Sequence, residues 1–420
     1  MPVVAETKAE RFVYKLYTDP LIQSQTQPDP TVDPGPSAGQ VLRYLSHDLQ
    51  LTKDQYRPTE MRQDRQRPMG SDGSRTIAGT VKGYLSAGTQ QDWFAAIMRN
   101  TWSAAASATE AELTSVAFSK SGKTITFGGG DPVAEGLGAG ATIAVTGITG
   151  LNLNQRFSIL GFSGTSNRVL NVFPAPAEDL AAVTTFGVAT VGATIINPSA
   201  TLNFVNYKLA LEIYNPETDL ARLYTECRVG SMDLDIPVND NPKLDFGVMG
   251  RGRQLYKTTE APFFTAPADE TSSDIPTAMD GLLLFNGEPF GVATSVKISV
   301  KLNPQAAKVI NPVGLVAAIF LDDFVCDGTF AAYVDDSLLF DLHADNVEFG
   351  LLVYMPAQPR QAATPANTFF MPRIRILTLQ EQDSAGGKMV NCTFEAARYF
   401  GTAPGIPSTT LQISDTNVTP

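Results

Sequence analysis

Histidine, tryptophan and cysteine are nearly missing from this 420-residue chain, which holds two, two and three of them. Two histidines, His47 and His343, leave little material for acid–base or metal chemistry. In "DLHADN" the residues Asp341, His343 and Asp345 stand at i, i+2 and i+4, which do not share one helix face, so no metal site is expected. Cys227, Cys326 and Cys392 lie far apart without C-x-x-C spacing. That excludes a zinc knuckle and a disulfide framework, and their apolar strand-like surroundings predict reduced core thiols. No apolar run approaches the roughly 18 residues of a membrane span. The start, "MPVVAETKAERF", has no apolar signal region, so export is not expected.

Positive charge is also short. Lysine and arginine total 31 against 43 acids, a net charge of −12. The first hundred residues hold 12 basic and 11 acidic groups, the remainder 19 and 32. Such a surface repels nucleic acid and carries no basic patch with interleaved aromatics. A protein that grips DNA is excluded, while one that lets DNA pass without sticking is compatible. The glycine-rich "GGGDP" and "GLGAG" lack the GK[ST] of a phosphate loop. "GFSGTS" lacks the second glycine of a nucleophile elbow. The acidic neighbours Asp322/Asp323 and Asp335/Asp336 point to opposite sides of a strand and make no acid–base couple. The chain reads as a non-enzyme without cofactor.

What the sequence does have is alternation. The predicted organisation is an extended N-terminal arm over 1–38, rich in Pro, Asp and Gly; a first β-rich half over 39–255; a linker over 256–284; a second half over 285–402; and a C-terminal tail over 403–420. "GTQQDWFAAIMRNTW" reads as a helix capped at Thr89, with Trp93, Phe94, Ile97, Met98 and Trp102 as its apolar stripe. Small residues near Ser103 then open a run of short, glycine-broken strands, predicting an inserted small all-β module over 107–200. "TSVKISVKLN" alternates strictly, with Val296, Ile298, Val300 and Leu302 on one face.

An internal repeat organises these pieces. "GTVKGYL" (Gly79–Leu85) matches "GTFAAYV" (Gly328–Val334) at Gly, Thr and Tyr. Each is followed by a helical stretch, the second being "DDSLLFDLHADN" with Asp335 or Asp336 as cap and Leu338, Leu339 and Leu342 on one face. Then come "YKLALEIYN" against "EFGLLVYMP", "TECRVGSMDLDIP" against "MPRIRILTLQ", and "NPKLDFGVMGRG" against "GKMVNCTFEAAR". The two halves read as one β-rich, one-helix fold written twice.

Before the first repeated strand stands a charged arm, "TEMRQDRQRP". The arm, the "GTVKGYLSAGTQQDWFAAIMRNTW" unit and "CRVGSMDLDIPVNDNPKLDFGVMGRG" together resemble the tail tube proteins of long-tailed bacteriophages. The matching positions are Glu60, Arg62, Asp64, Arg65, Gln66, Trp102, Cys227, Val229, Ser231, Met232, Met249 and Gly250. They cover about residues 41–103 and 203–253, and 285–402 more loosely. The resemblance implies a mainly β protein: two tandem tail-tube-like β-sandwich or barrel folds, each with one helix, plus the inserted module on the outside. It implies a virion structural protein, assembled in the host cytoplasm, whose rings stack into a conduit for DNA ejection. Partners implied are further copies of itself and the tape-measure, tail terminator and baseplate proteins, without membrane or specific DNA binding.

Glu60, Arg62, Asp64, Arg65 and Arg67 are expected at inter-subunit contacts. Asp233 and Asp235 are expected in the lumen, because they alternate with apolar neighbours. The resemblance implies six tube folds around an axis, and two per chain then predict a homotrimeric pseudo-hexameric ring; a true hexamer is the alternative. The other functional class open to this sequence is a β-sandwich receptor-binding or adhesin protein acting through the 110–200 module.

Overall fold

The structure is a computed structural model and describes residues 10–18, 34–59, 63, 69–198, 204–310, 314–334, 337–357, 364–384 and 387–419. In chain order the first part holds β1 (Arg11–Thr18), β2 (Gln40–Val41), β3 (Ser46–His47), β4 (Gln50–Tyr56), β5 (Ser71–Tyr84) and α1 (Gln91–Met98). The inserted module follows with β6 (Ser107–Thr109), α2 (Glu110–Leu113), β7 (Val116–Ser119), β8 (Thr124–Phe127), β9 (Thr142–Thr146), β10 (Arg156–Ser163), β11 (Val169–Phe173), β12 (Leu180–Val183) and β13 (Gly187–Thr190). The chain returns through β14 (Ala193–Ile196), β15 (Tyr207–Asn215), β16 (Leu220–Pro237), β17 (Lys243–Gly250) and β18 (Gly252–Lys257). The second part holds β19 (Leu282–Phe285), β20 (Glu288–Pro289), β21 (Ala293–Lys301), β22 (Gln305–Ala306), β23 (Ile319–Phe320), β24 (Val325–Tyr333) and α3 (Leu338–Ala344). It closes with β25 (Phe349–Pro356), β26 (Ala366–Ser384), β27 (Gly387–Ala396) and β28 (Gln412–Asp415).

The fold is mainly β, and strand register makes the repeat explicit. Gly79 pairs with Val248 and Gly328 with Phe394. Val248 and Phe394 pair in turn with Val229 and Ile376, immediately before a bulge in each of the long strands β16 and β26. Upstream, Leu209 faces Cys227 and Phe349 faces Ile374, each beside a second irregularity. Bulges bend a strand and raise its twist. Here they let β16 run with β15 and β18 over its first half and with β17 over its second. In the same way β26 leaves β25 and β28 to run with β27. The two glycines recur because a neighbouring strand presses on them. A Cβ at Gly79 would lie 2.7 Å from the Leu49 Cα, and one at Gly328 would lie 2.3 Å from the Lys297 carbonyl oxygen.

The repeat is wider than the sequence boundaries. Inside the expected N-terminal arm, β1 pairs along its whole length with β15, and Phe12, Val13 and Tyr14 are buried. Its counterpart is β19, which pairs with β25 inside the expected linker. The expected C-terminal tail carries β28, laid between β14 and β26 with Leu411 and Ile413 fully buried. Each of these strands was masked by Pro- and polar-rich neighbours. The helix begins at Gln91 with Gln90 at its N-cap, not Thr89. The Thr89 hydroxyl instead meets those of Ser86 and Thr271. In α3 only Leu339 is fully buried, and Leu338 is exposed. Asp335 and Asp336 lie outside the described residues.

One hydrophobic cluster runs through both repeats, from Trp93 and Phe94 of α1 to Phe330, Phe369 and Phe394. Phe94 stands edge-on to both Phe246 and Phe369, so α1 of the first repeat is packed into the second. The module forms its own eight-stranded antiparallel sheet around Phe118, Phe127, Phe157, Ile159 and Phe186. Its entry and exit strands, β6 and β13, lie side by side, as expected of an insertion. It ends at β13, because β14 already belongs to the body. The module is also docked. Leu160, Phe162 and Phe173 close an apolar patch with Leu284, Leu352, Tyr354 and Phe370 of the second repeat. The equivalent face of the first repeat, around Val13, Ala210 and Leu223, is covered by Phe263 and Phe264.

Candidate assembly surfaces

The two repeats are joined by a ladder between β16 and β21, in which Ser231 to Pro237 pair with Lys301 to Ser295. The result is one sheet in the order β4–β5–β17–β16–β21–β24–β27–β26. Strand alternation gives it two unlike faces. At the junction the core face pairs Met232 with Val300, Leu234 with Ile298 and Ile236 with Val296, all buried. On the other face the Ser299 hydroxyl donates to Asp233 at 2.5 Å, and Lys297 lies 3.2 Å from Asp235.

That second face is hollowed into a groove of about 790 Å³ lined by Lys82, Asp233, Asp235, Lys243, Asp245, Lys297 and Asp327 among others. One rung crosses it as Lys82, Asp245, Asp233, Ser299, Asp327, Glu395 and Arg375, each opposite the next. Its acids are answered by bases: Lys82–Asp245 at 3.1 Å, Lys301–Asp327 at 3.2 Å and Arg375–Glu395 at 2.6 Å. Asp233 and Asp235 therefore sit on the concave polar face, in a row of acids whose charge is answered by Lys82 and Arg375 at its ends and by Lys297 and Lys301 from the adjacent rungs.

Sequence reasoning missed a buried charge network beside this junction. Glu226, at the bend of β16 with φ of 53°, accepts from Lys208 at 3.1 Å and is also bonded by Arg251. Arg251 donates through Nε to the carbonyl of Val316 at 2.8 Å, so the network is roofed by the segment between β21 and β24. The same segment accepts from Arg75 N at Gly314 and reaches Asp54 through Lys308 at 2.6 Å. The signal in the sequence was a Lys and a Glu interrupting the apolar runs "YKLALEIYN" and "LYTECRVG". At the matching ladder positions of the second repeat the charges are exchanged, with Glu348 for Lys208 and Arg373 for Glu226. This pair is bidentate, at 2.6 and 2.7 Å, and exposed.

The predicted arm residues Glu60, Arg62, Asp64, Arg65 and Arg67 lie outside the described residues. They belong to the connection between β4 and β5, which is the counterpart of the roofing segment between β21 and β24. No cluster of metal-ligating side chains occurs among the described residues, and no described helix is long and apolar enough to cross a membrane. The Phage tail tube protein family matches residues 22–353, from before β2 into β25. The chain belongs to that family. It is a structural protein of the phage tail, and its family membership carries self-assembly into stacked rings. No curated protein matches the chain.

Proposed function

We propose that this tail tube protein forms homotrimeric rings, each chain supplying two of six tube folds, and that the stacked rings are the conduit for DNA ejection in a long, non-contractile tail. The observation that carries this reading is the β16·β21 ladder, which already joins two tube folds edge to edge within one chain. Two folds per chain make three chains sufficient for six. A true hexamer would leave one repeat of every chain outside the ring. Tape-measure, terminator and baseplate proteins are the further partners this assembly requires, and assembly takes place in the host cytoplasm.

In such a ring the concave polar face lines the bore, with Asp233 and Asp235 in it. A ladder of balanced charge gives DNA neither a basic surface to hold it nor a uniformly acidic one to oppose its entry. The arm Glu60–Arg67 is proposed to meet the next subunit as Lys308, Gly314 and Val316 meet the first repeat here, with the exposed Glu348–Arg373 pair as its target. The rotational symmetry of a tube cross-section, with native mass spectrometry of a detached ring, tests the reading: three chains per ring are expected, and six equivalent chains would overturn it.

A further inference from the structure

Two strand edges of the long sheet are unpartnered among the described residues. β4 pairs on one side with β5, and β26 beyond its bulge pairs on one side with β27. These are not arbitrary edges. β3 and β4 are the counterparts of β21, since the same 249-residue step separates Ser46 from Ser295, Gly79 from Gly328 and Thr76 from Val325 in matching ladder positions. The second half of β26 is the counterpart of the second half of β16, bulge for bulge. Within the chain β16 and β21 are hydrogen-bonded to each other, so the free pair repeats a junction that the molecule already makes once.

We infer that β26 of one chain takes β4 of a second copy in the register of the internal junction, pairing Thr378 with Thr52, Gln380 with Gln50 and Gln382 with Asp48 of the neighbour. The inference rests on the ring reading above and adds to it which edges meet, and where. Unpaired edges invite strand addition, and main-chain hydrogen bonds then supply the affinity. The side chains fit the register. Leu379 and Leu51, both half-buried at the rim of the core, become direct neighbours. Leu377 holds the bulge position that Gly230 holds inside the chain. A Cβ at Gly230 would meet the Pro304 ring at 2.4 Å, whereas the neighbour's residue at the Pro304 position is Gln55, a flexible side chain that can move aside.

The seam between chains differs from the internal one in chemistry. Where Leu234 and Ile236 bury against Ile298 and Val296, β26 offers Glu381 and Asp383 to Leu49 and His47 of the neighbour. His47 already lies 3.5 Å from Glu10, which also pairs with Arg222 at 2.7 Å, and Asp48 is adjacent. The internal seam is thus sealed by apolar burial, and the seam between chains is finished by the exposed acids Glu381 and Asp383 against the half-buried His47.

Disulfide trapping reads the register directly, because the three native thiols are buried. A Gln50→Cys/Gln380→Cys chain is oxidised after assembly and run under denaturing conditions. An Asp233→Cys/Ser299→Cys chain, which places the same pair inside the internal junction, is the geometric control. A covalent species of three times the 45.0 kDa chain, with the Thr52→Cys/Gln380→Cys pair at least tenfold less efficient, is the expected result. Rings visible by microscopy without the cross-link, while the control closes, would overturn the inference and leave the tube reading intact. Absence of rings from the unmodified chain would overturn both.

Discussion

At the residue scale, three buried carboxyls set the acid response of this fold. Burial raises Asp92, Glu212 and Asp415 above the ordinary carboxylate range. Glu212 stays hydrogen-bonded to the backbone of Phe263 and Phe264, and Asp415 to that of Gly88 and Asn417. An acid with a raised folded pKa binds its proton more tightly in the native state, so stability falls as pH rises from the unfolded value through the folded one. The melting temperature is therefore expected to climb as pH drops through the range just above the unfolded carboxylate value of about 4. Below that the exposed pair Glu348–Arg373, which holds Glu348 below its usual range, begins to protonate and its small contribution is lost. A melting temperature that falls steadily from pH 8 downwards would contradict this account. The thiols give a second expectation. Burial pushes Cys326 up to about 12 and Cys392 up to about 11, and Cys227 higher still. A thiol reagent at neutral pH should label none of the three before the chain unfolds.

At the scale of elements, the roofing segment between β21 and β24 holds one repeat onto the other through Glu226, Arg251 and Val316. Glu226→Ala leaves the Lys208 and Arg251 cations buried without their acid, which costs about 3–5 kcal/mol. Urea unfolding should shift by that amount, and Glu226→Gln, which keeps a hydrogen-bond acceptor, should recover part of it. A loss under about 1 kcal/mol would mean that water already screens the network. This element also marks how far the sequence could be read. The order of strands and helices was legible, because alternation and the Gly79/Gly328 match fix faces and register locally. The pairing of β16 with β21 was not, because nothing local records which of two exposed-looking edges meets which. The strands β1, β19 and β28 were missed for a related reason: they are short, lie among Pro-rich or polar stretches, and are held by long-range ladders. Of the candidate site, Asp233 and Asp235 were legible as outward-facing, but their partners Ser299 and Lys297 lie far along the chain.

At the scale of the whole molecule, the inserted module does more than decorate. It covers Leu284, Leu352, Tyr354 and Phe370, a face that the first repeat protects with Phe263 and Phe264 instead. Deleting 107–190 behind a short linker is expected to leave an exposed apolar patch and lower the yield of soluble chain several-fold. Polar replacements at Leu352 and Phe370 should restore that yield, and tubes with it. Full solubility of the simple deletion would show that the patch is covered in some other way. The covalent joining of two folds also changes how a ring comes into being. In a ring of six separate subunits every seam must form between molecules that meet by diffusion. Here the β16·β21 ladder forms within each chain, at the effective concentration set by its own tether, and so independently of how much protein is present. In the proposed trimeric ring, formation then becomes a third-order event rather than a sixth-order one, and a cell holding few copies of the chain early in infection would start its tails sooner.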